Sequence, residues 1–252
     1  MSVNWIKNFA KKMIYGKKAS SELYIKYLRT LGMGIGDDVS IYVPTKTVID
    51  GSYPWMITIG NHVRIAQGAI LLTHDYAWSV LKGEMDGAIC GASGHITIGN
   101  NVFIGMNAII TRGVTVGNNV IIGAGSVVTK DCADNGVYAG NPARRIAELS
   151  DYFEKRKKAQ ISEAKELALR YYERFHQYPP KEVFHEYFML FESAESAVKQ
   201  EWCRRKLQLC GNEDESIAYM GTYQRPFENY EEFLRCCFND YDWSKDLGKC
   251  NN

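Results

Sequence analysis

Residues 96–133 read ITIGNNVFIGMNAIITRGVTVGNNVIIGAGSVVTKDCA. An aliphatic side chain returns at every sixth position, as Ile98, Ile104, Ile110, Val116, Ile122 and Val128. The next residue is small or hydroxylated each time: Gly99, Gly105, Thr111, Gly117, Gly123 and Thr129. A third register is compact as well, through Val102, Ala108, Val114, Val120, Ser126 and Cys132. This period matches neither the turn of a helix nor the alternation of a strand. Units this short stack into a solenoid, and hexapeptide units specify a parallel β-helix. Three such units close a triangular coil whose aliphatic side chains point inward, each contributing ~1.5–3 kcal/mol on burial. The small residue that follows lets the chain turn the corner.

Upstream, the hexads Ile35–Ser40 and Ile41–Lys46 fit the pattern, Thr47 and Tyr53 keep the phase but not the residue type, and Ile59, Ile65 and Leu71 resume it. The step from Ile35 to Ile59 is 24 residues, a multiple of six, whereas Ile59 to Ile98 is 39 and is not. The phase break places an insertion between about Asp75 and His95. Residues 76–94 carry no hexad pattern, and a long irregular loop on a regular scaffold is usually functional. Downstream, the β-helix is expected to end near Cys132, with turns at Asp134–Gly136 and Gly140–Pro142.

The flanks read as helical. Residues 4–18 place Trp5, Phe9 and Met13 at helical spacing among Lys7, Lys11, Lys12, Lys17 and Lys18. A second helix follows, capped by Ser20 or Ser21 and closed by Gly32. This pair either covers the open end of the solenoid or lies as a weakly bound foot on an anionic membrane surface. Further helices are expected over 150–176, 181–209 and 228–238, with Pro179-Pro180 as a break and a frayed tail after Asp246. The expected division is an N-terminal helical cap over 1–32, a β-helix over 33–147 with an inserted loop at about 76–94, and a C-terminal helical region over 148–252.

Composition narrows the functional classes. The 252 residues are 46% apolar and 23% charged, with a net charge of +1. That is ordinary for a globular chain and lacks the basic excess of a nucleic-acid surface. Seven cysteines, an odd number with Cys236 and Cys237 adjacent and no C-x-x-C, suit a reducing compartment and core thiols rather than zinc. No apolar run approaches the ~18 residues of a membrane span, and the N-terminus lacks a secretory pattern, so a cytoplasmic location is expected.

His74 stands after the hexad start at Leu71 and just before the insertion. An imidazole with its ordinary pKa of ~6.5 can take up and return a proton near neutral pH, which makes His74 a candidate general base. Asp75 could orient an acceptor or the loop, or cap a turn. Tyr53, Trp55, Tyr76 and Trp78 bracket the same region and could line an acceptor site or pack the loop; Asp50 is a further acceptor-side candidate.

Five stretches carry a family resemblance: ITIGN at 57–61, LTHD at 72–75, ITIGNNVFIG at 96–105, IGAGSVVTKD at 122–131 and AGNPAR at 139–144. Over about residues 35–147 the chain resembles the hexapeptide-repeat acyltransferases, whose fold is a left-handed parallel β-helix. Within that family it resembles the branch of the xenobiotic, galactoside and maltose O-acetyltransferases and the acetyltransferases of polysaccharide biosynthesis. The resemblance implies His74 as catalytic base and acetyl-CoA as donor. It implies Gly105, Met106, Gly123 and Ala124 along the pantetheine arm, Thr129 and Lys130 towards the nucleotide, and Arg144 on a CoA phosphate with Arg145 beside it. Ala147 replaces a second basic residue common in the family, which Arg145 or Arg112 could supply.

A homotrimer with intersubunit sites, no metal, and a carbohydrate hydroxyl as acceptor are also implied. The alternative acceptor is an antibiotic or a nucleotide-sugar amine. A non-catalytic scaffold and a zinc enzyme of the γ-carbonic anhydrase type on the same prism are weaker readings. The latter needs two imidazoles five apart, and His62, His74 and His95 do not provide them.

Overall fold

The computed structural model describes residues 10–238. Apart from the insertion, its short strands up to β14 (Val127–Val128) visit three faces in rotation. The first face holds β1 (Gly34–Ile35), β4 (Ile57–Ile59), β9 (Ile96–Ile98) and β12 (Val114–Val116). The second holds β2 (Ser40–Ile41), β5 (Arg64–Ile65), β10 (Val102–Ile104), β13 (Val120–Ile122) and β15 (Gly136–Ala139). The third holds β3 (Val48–Ile49), β6 (Ile70–Leu71), β11 (Ile109–Ile110) and β14 (Val127–Val128). Every pairing along these stacks is parallel, so the repeat is a three-faced parallel β-helix.

The hexad aliphatics fall in register, Ile41 on Ile65 on Ile104 on Ile122 and Ile49 on Leu71 on Ile110 on Val128, and all are buried. The outward residues differ by face. The first face shows a threonine ladder, Thr58–Thr97–Thr115. The third shows an aliphatic one, Val48–Ile70–Ile109–Val127, whose members are half-buried or exposed.

The edge between the first and second faces is the most regular part. A Cβ on Gly99 would lie 2.7 Å from the carbonyl carbon of Gly117, so close coil stacking demands glycine there. Asn61 N–H donates to Asn100 Oδ1, Asn100 N–H to Asn118 Oδ1, and Asn118 N–H to Asp134 Oδ1. One position along, Asp38, His62, Asn101, Asn119 and Asn135 all have φ between 50° and 56°. Asn and Asp tolerate that left-handed conformation better than most side chains.

Three expectations change. The step from Ile35 to Ile59 is one coil with widened corners, not a run of hexads. Tyr53 therefore starts no strand and instead precedes a 3-10 turn at Pro54–Met56. The β-helix also continues past Cys132, which bridges to Val116, and β15 adds a further strand to the second face. That coil advances only 16 residues from Ile122 to Tyr138, so it drops out of the hexad phase. β16 (Arg144–Glu148) then turns back antiparallel to β15. The insertion, in turn, is not structureless. β7 (His74–Asp75) and β8 (Ala92–Ser93) close its neck as an antiparallel pair, and a helix spans Trp78–Glu84.

At the N-terminal side, residues 10–15 are helical, Gly16–Lys18 form a 3-10 turn, and a helix spans Ser21–Thr30. Ser20 caps that helix by accepting from Leu23 N–H, and Tyr24, Ile25 and Leu28 join the β-helix core. The rest of the expected first helix, residues 4–9, lies outside the described residues, as does the tail after Asp246.

The chain forms two compact units, Met1–Phe153 and Glu154–Asn252. The second has its own core, led by Phe184, Phe191 and Phe233. A long helix spans Leu149–Phe175 and stops before Pro179-Pro180, as the sequence predicts. The single helix expected over 181–209 is replaced by 3-10 turns at Lys181–Phe184 and Phe188–Leu190 and helices at Ala194–Lys199 and Glu201–Leu207. Phe188, Leu190 and Phe191 are all buried, which one helical face cannot achieve. Ser193 then caps a new start. The helix Glu213–Thr222 was not foreseen; Tyr230–Cys237 falls within the expected third helix, capped by Asn229.

Candidate active site

His74 lies at the edge between the third and first faces, where β6 turns towards the insertion. Asp50 occupies the same edge one coil earlier, after Ile49, and its N–H donates to the Leu71 carbonyl at 3.0 Å. This stacking puts a carboxylate against an imidazole 24 residues away: His74 Nδ1 is 2.7 Å from Asp50 Oδ2. The same oxygen accepts from Thr73 N–H at 3.0 Å and from the Thr73 hydroxyl. Oδ1 accepts from Ser52 N–H at 2.9 Å.

Burial alone would raise the Asp50 carboxyl, but the Thr73 hydroxyl, Ser52 N–H, His74 and Thr73 N–H outweigh it and hold it well below the usual carboxylate range. An ionised carboxylate can only accept, so Nδ1 carries the proton, and a neutral ring then has its lone pair on Nε2. Among the described residues Nε2 has no hydrogen-bond partner.

Asp50, expected on the acceptor side, is thus 8% exposed and occupied as the orienting group beneath His74. Thr73 and Ser52 were not singled out. A hydroxyl directly before the histidine in LTHD was the available signal.

The aromatic candidates gather around the imidazole. The rings of Tyr53 and Tyr76 stand edge-to-face with His74 at 5.4 and 5.2 Å between centroids. Trp55 abuts Tyr53 at 5.8 Å and Trp78 abuts Tyr76 at 6.2 Å. Tyr76 and Trp55 are exposed, so they form a wall open to solvent rather than a packed core. Asp75 faces the loop: Oδ1 accepts from Ala77 N–H, and Oδ2 pairs with Arg112 Nε at 2.8 Å. Arg112 therefore latches the neck of the insertion and is already engaged. His95 is exposed at the end of the insertion, with Nε2 3.4 Å from Thr115 Oγ1.

The cofactor-side candidates divide between two edges. Gly105 and Met106 follow β10, and Gly123 and Ala124 follow β13, at the edge between the second and third faces. A Cβ on Gly105 would come 2.5 Å from Ala124 N. Thr129 and Lys130 follow β14 and so stand on the His74 edge, both exposed. Arg144 and Arg145 begin β16. Arg145 donates to the carbonyls of Asp134 and Asn135 and pairs with Glu148, whereas Arg144 Nη1 donates only to the adjacent Ala143 carbonyl among the described residues. Burial pushes the Cys132 thiol up to about 11 and those of Cys203 and Cys237 up to about 12, so these thiols are poor nucleophiles near neutrality.

The family model of the bacterial transferase hexapeptide, six repeats, matches residues 95–130. The chain is 43% identical to protein CapG of Staphylococcus aureus over 144 residues, 56% of this chain and 80% of that protein. The chain belongs to the hexapeptide-repeat bacterial transferases. As a member of that enzyme family it is also 42% identical over 108 residues to galactoside O-acetyltransferase of Escherichia coli K12. That match spans 42% of this hexapeptide-repeat chain and about half, 49%, of the relative. Among solved structures, a galactoside acetyltransferase in complex with coenzyme A is 28% identical, covering 61% of this chain and 86% of that one at a TM-score of 0.43. A maltose O-acetyltransferase from Clostridium difficile 630 is 26% identical, covering 57% and 84% at 0.43.

Proposed function

We propose that this hexapeptide-repeat transferase is a CoA-dependent O-acetyltransferase that moves an acetyl group from acetyl-CoA to a carbohydrate hydroxyl, with His74 as general base. The observation that carries the reading is the 2.7 Å bond between His74 Nδ1 and Asp50. It fixes the ring and leaves Nε2 as the basic atom, open to an acceptor. Nε2 takes the hydroxyl proton as the oxygen attacks the thioester carbonyl. The tetrahedral adduct collapses with cleavage of the carbon–sulfur bond, and the imidazolium returns the proton to the departing thiolate. Asp50 stabilises the imidazolium in between. The aromatic wall of Tyr53, Trp55 and Tyr76 suits the apolar face of a sugar ring, with Asp75 holding the neck of the loop that borders it.

The donor lies along the corner of Gly105, Met106, Gly123 and Ala124, where glycine lets successive coils stack closely and lines up their backbone groups along one groove. Thr129 and Lys130 approach the nucleotide. Arg144, with no carboxylate partner among the described residues, binds a phosphate; Arg145 already pairs with Glu148.

These corners and His74 stand on different edges of one prism. A site that uses both is completed by a second copy, which supports a homotrimer of left-handed β-helices. The outward ladder Val48–Ile70–Ile109–Val127, on the face between those edges, supports the same assembly. In this reading residues 1–32 cap the helix, 33–147 are the catalytic domain, and 148–252 are an appendage. A screen of sugars, nucleotide sugars and antibiotics with acetyl-CoA and thiol detection tests the assignment. Turnover with a sugar hydroxyl supports it, and turnover only with an amine would move the acceptor class.

A further inference from the structure

We propose that the N-terminal segment docks this protein on an anionic phospholipid bilayer, as a surface contact and not a span. Charge is strongly segregated along the chain. Residues 1–32 carry seven Lys or Arg against the single Glu22, while the other 220 residues carry 23 against 28. In the helical residues 10–15, Ala10, Met13 and Ile14 share one face, and Lys11 and Lys12 stand on the other. Met13 and Ile14 are each 73% exposed, an unusual cost for adjacent apolar side chains that nothing covers among the described residues.

Beside them an open groove of about 620 Å³ runs between this segment and the helix Ser21–Thr30. Its floor is Met13, Leu23 and Tyr27, and Lys12, Lys17 and Lys26 rim it. Lys17 Nζ sits 3.5 Å over the Tyr27 ring, so one lysine already spans the apolar floor and the polar rim. Among the described residues, Lys11, Lys12 and Lys26 make no ion pair.

Exposed apolar side chains ringed by unpaired ammonium groups match an interface that offers headgroup phosphates above acyl chains. A soluble polyanion would use the lysines and leave Met13 and Ile14 without a role. Among the described residues no helix is long and apolar enough to cross a membrane, which fits a contact lying in the surface. The helix Ser21–Thr30 packs on the first coil, and Asp50 and His74 stand at the first and second, so docking brings the acceptor side towards the lipid–water interface.

The test is co-sedimentation of the full chain with phosphatidylcholine vesicles and with phosphatidylcholine–phosphatidylglycerol vesicles. Binding is expected only to the second kind and should fall as salt rises. Each lysine near an anionic surface contributes about five-fold in affinity, equivalent to ~1 kcal/mol. Lys11→Glu/Lys12→Glu/Lys26→Glu should therefore weaken binding at least ~100-fold, with circular dichroism melting unchanged. Met13→Ser/Ile14→Ser should weaken it in a separate variant with all lysines kept. No sedimentation of the intact protein, or binding by the triple variant within two-fold of the parent, overturns the proposal. Equal affinity for soluble polyglutamate, untouched by Met13→Ser/Ile14→Ser, overturns it in favour of a polyanion site.

Discussion

Two edges of the same prism follow opposite rules. Between the first and second faces the coils turn alike: a Gly (Ala133 in the last), then an Asn or Asp that from the second coil onward accepts from the coil before it, then a left-handed Asp, His or Asn. Between the third and first faces no two coils match. Asp50 opens a widened corner, His74 opens the insertion, Arg112 reaches back to Asp75, and Lys130 stands unpaired among the described residues. Repetition satisfies backbone groups and serves stability, whereas departures from it free side chains for chemistry. Mutations on the two edges should therefore separate folding from turnover.

The largest effect is expected where the irregular edge meets the reaction. His74→Ala should lower kcat by roughly 10²–10⁴, the usual share of a positioned general base, while its melting temperature stays near the parent's. Asp50→Asn should follow, with turnover reduced because the amide can hold Nδ1 in the wrong tautomer. Sugar-dependent thiol release from acetyl-CoA measures both.

Asp50 also makes a pH prediction. Its folded carboxyl lies below the ordinary range, so the folded state binds fewer protons than the unfolded one in acid. The stabilisation is fully present above ~4, the unfolded value, and fades as pH falls through the lowered folded value. Acid unfolding of the parent and Asp50→Asn should converge as pH drops below ~4, because only the parent loses this contribution.

On the regular edge the sign reverses. Gly99→Ala should destabilise the β-helix by a few kcal/mol, since overpacking against a backbone typically costs ~1–3 kcal/mol. Its remaining folded fraction should turn over normally. Asn119→Ala gives up two ladder bonds, one accepted from Asn101 and one donated to Asn135, and a tolerated left-handed residue, about 2–4 kcal/mol together, readable as a shift in urea midpoint. The faces offer a parallel contrast. Ile109→Lys on the aliphatic face should lower the oligomeric state in light scattering, and Thr97→Lys on the threonine face should leave it unchanged.

How much of this was legible depends on how each coil counts. From Ile98 to Val116 a coil takes 18 residues, and every inward residue from Ile98 to Val128 was placed correctly. The insertion announced itself because the next coil, Ile59 to Ile98, takes 39. The coil before it takes 24, and six extra residues are silent in a period of six. That silence hid the widened corner holding Asp50, Ser52, Tyr53 and Trp55, and with it the role of Asp50 beneath His74. The pairing itself joins residues 24 apart through coil stacking, which no local pattern encodes. In the second unit, Phe188, Leu190 and Phe191 are buried by tertiary packing that overrides helical spacing, so the expected single helix breaks.

The central claim is that His74, held by Asp50, removes the acceptor proton. It is tested most directly by measuring acetyl-CoA binding and sugar-dependent thiol release side by side in the parent and His74→Ala. The account predicts an unchanged Kd for acetyl-CoA with turnover lower by roughly 10²–10⁴. Turnover within a few-fold of the parent, at the same Kd, would contradict it.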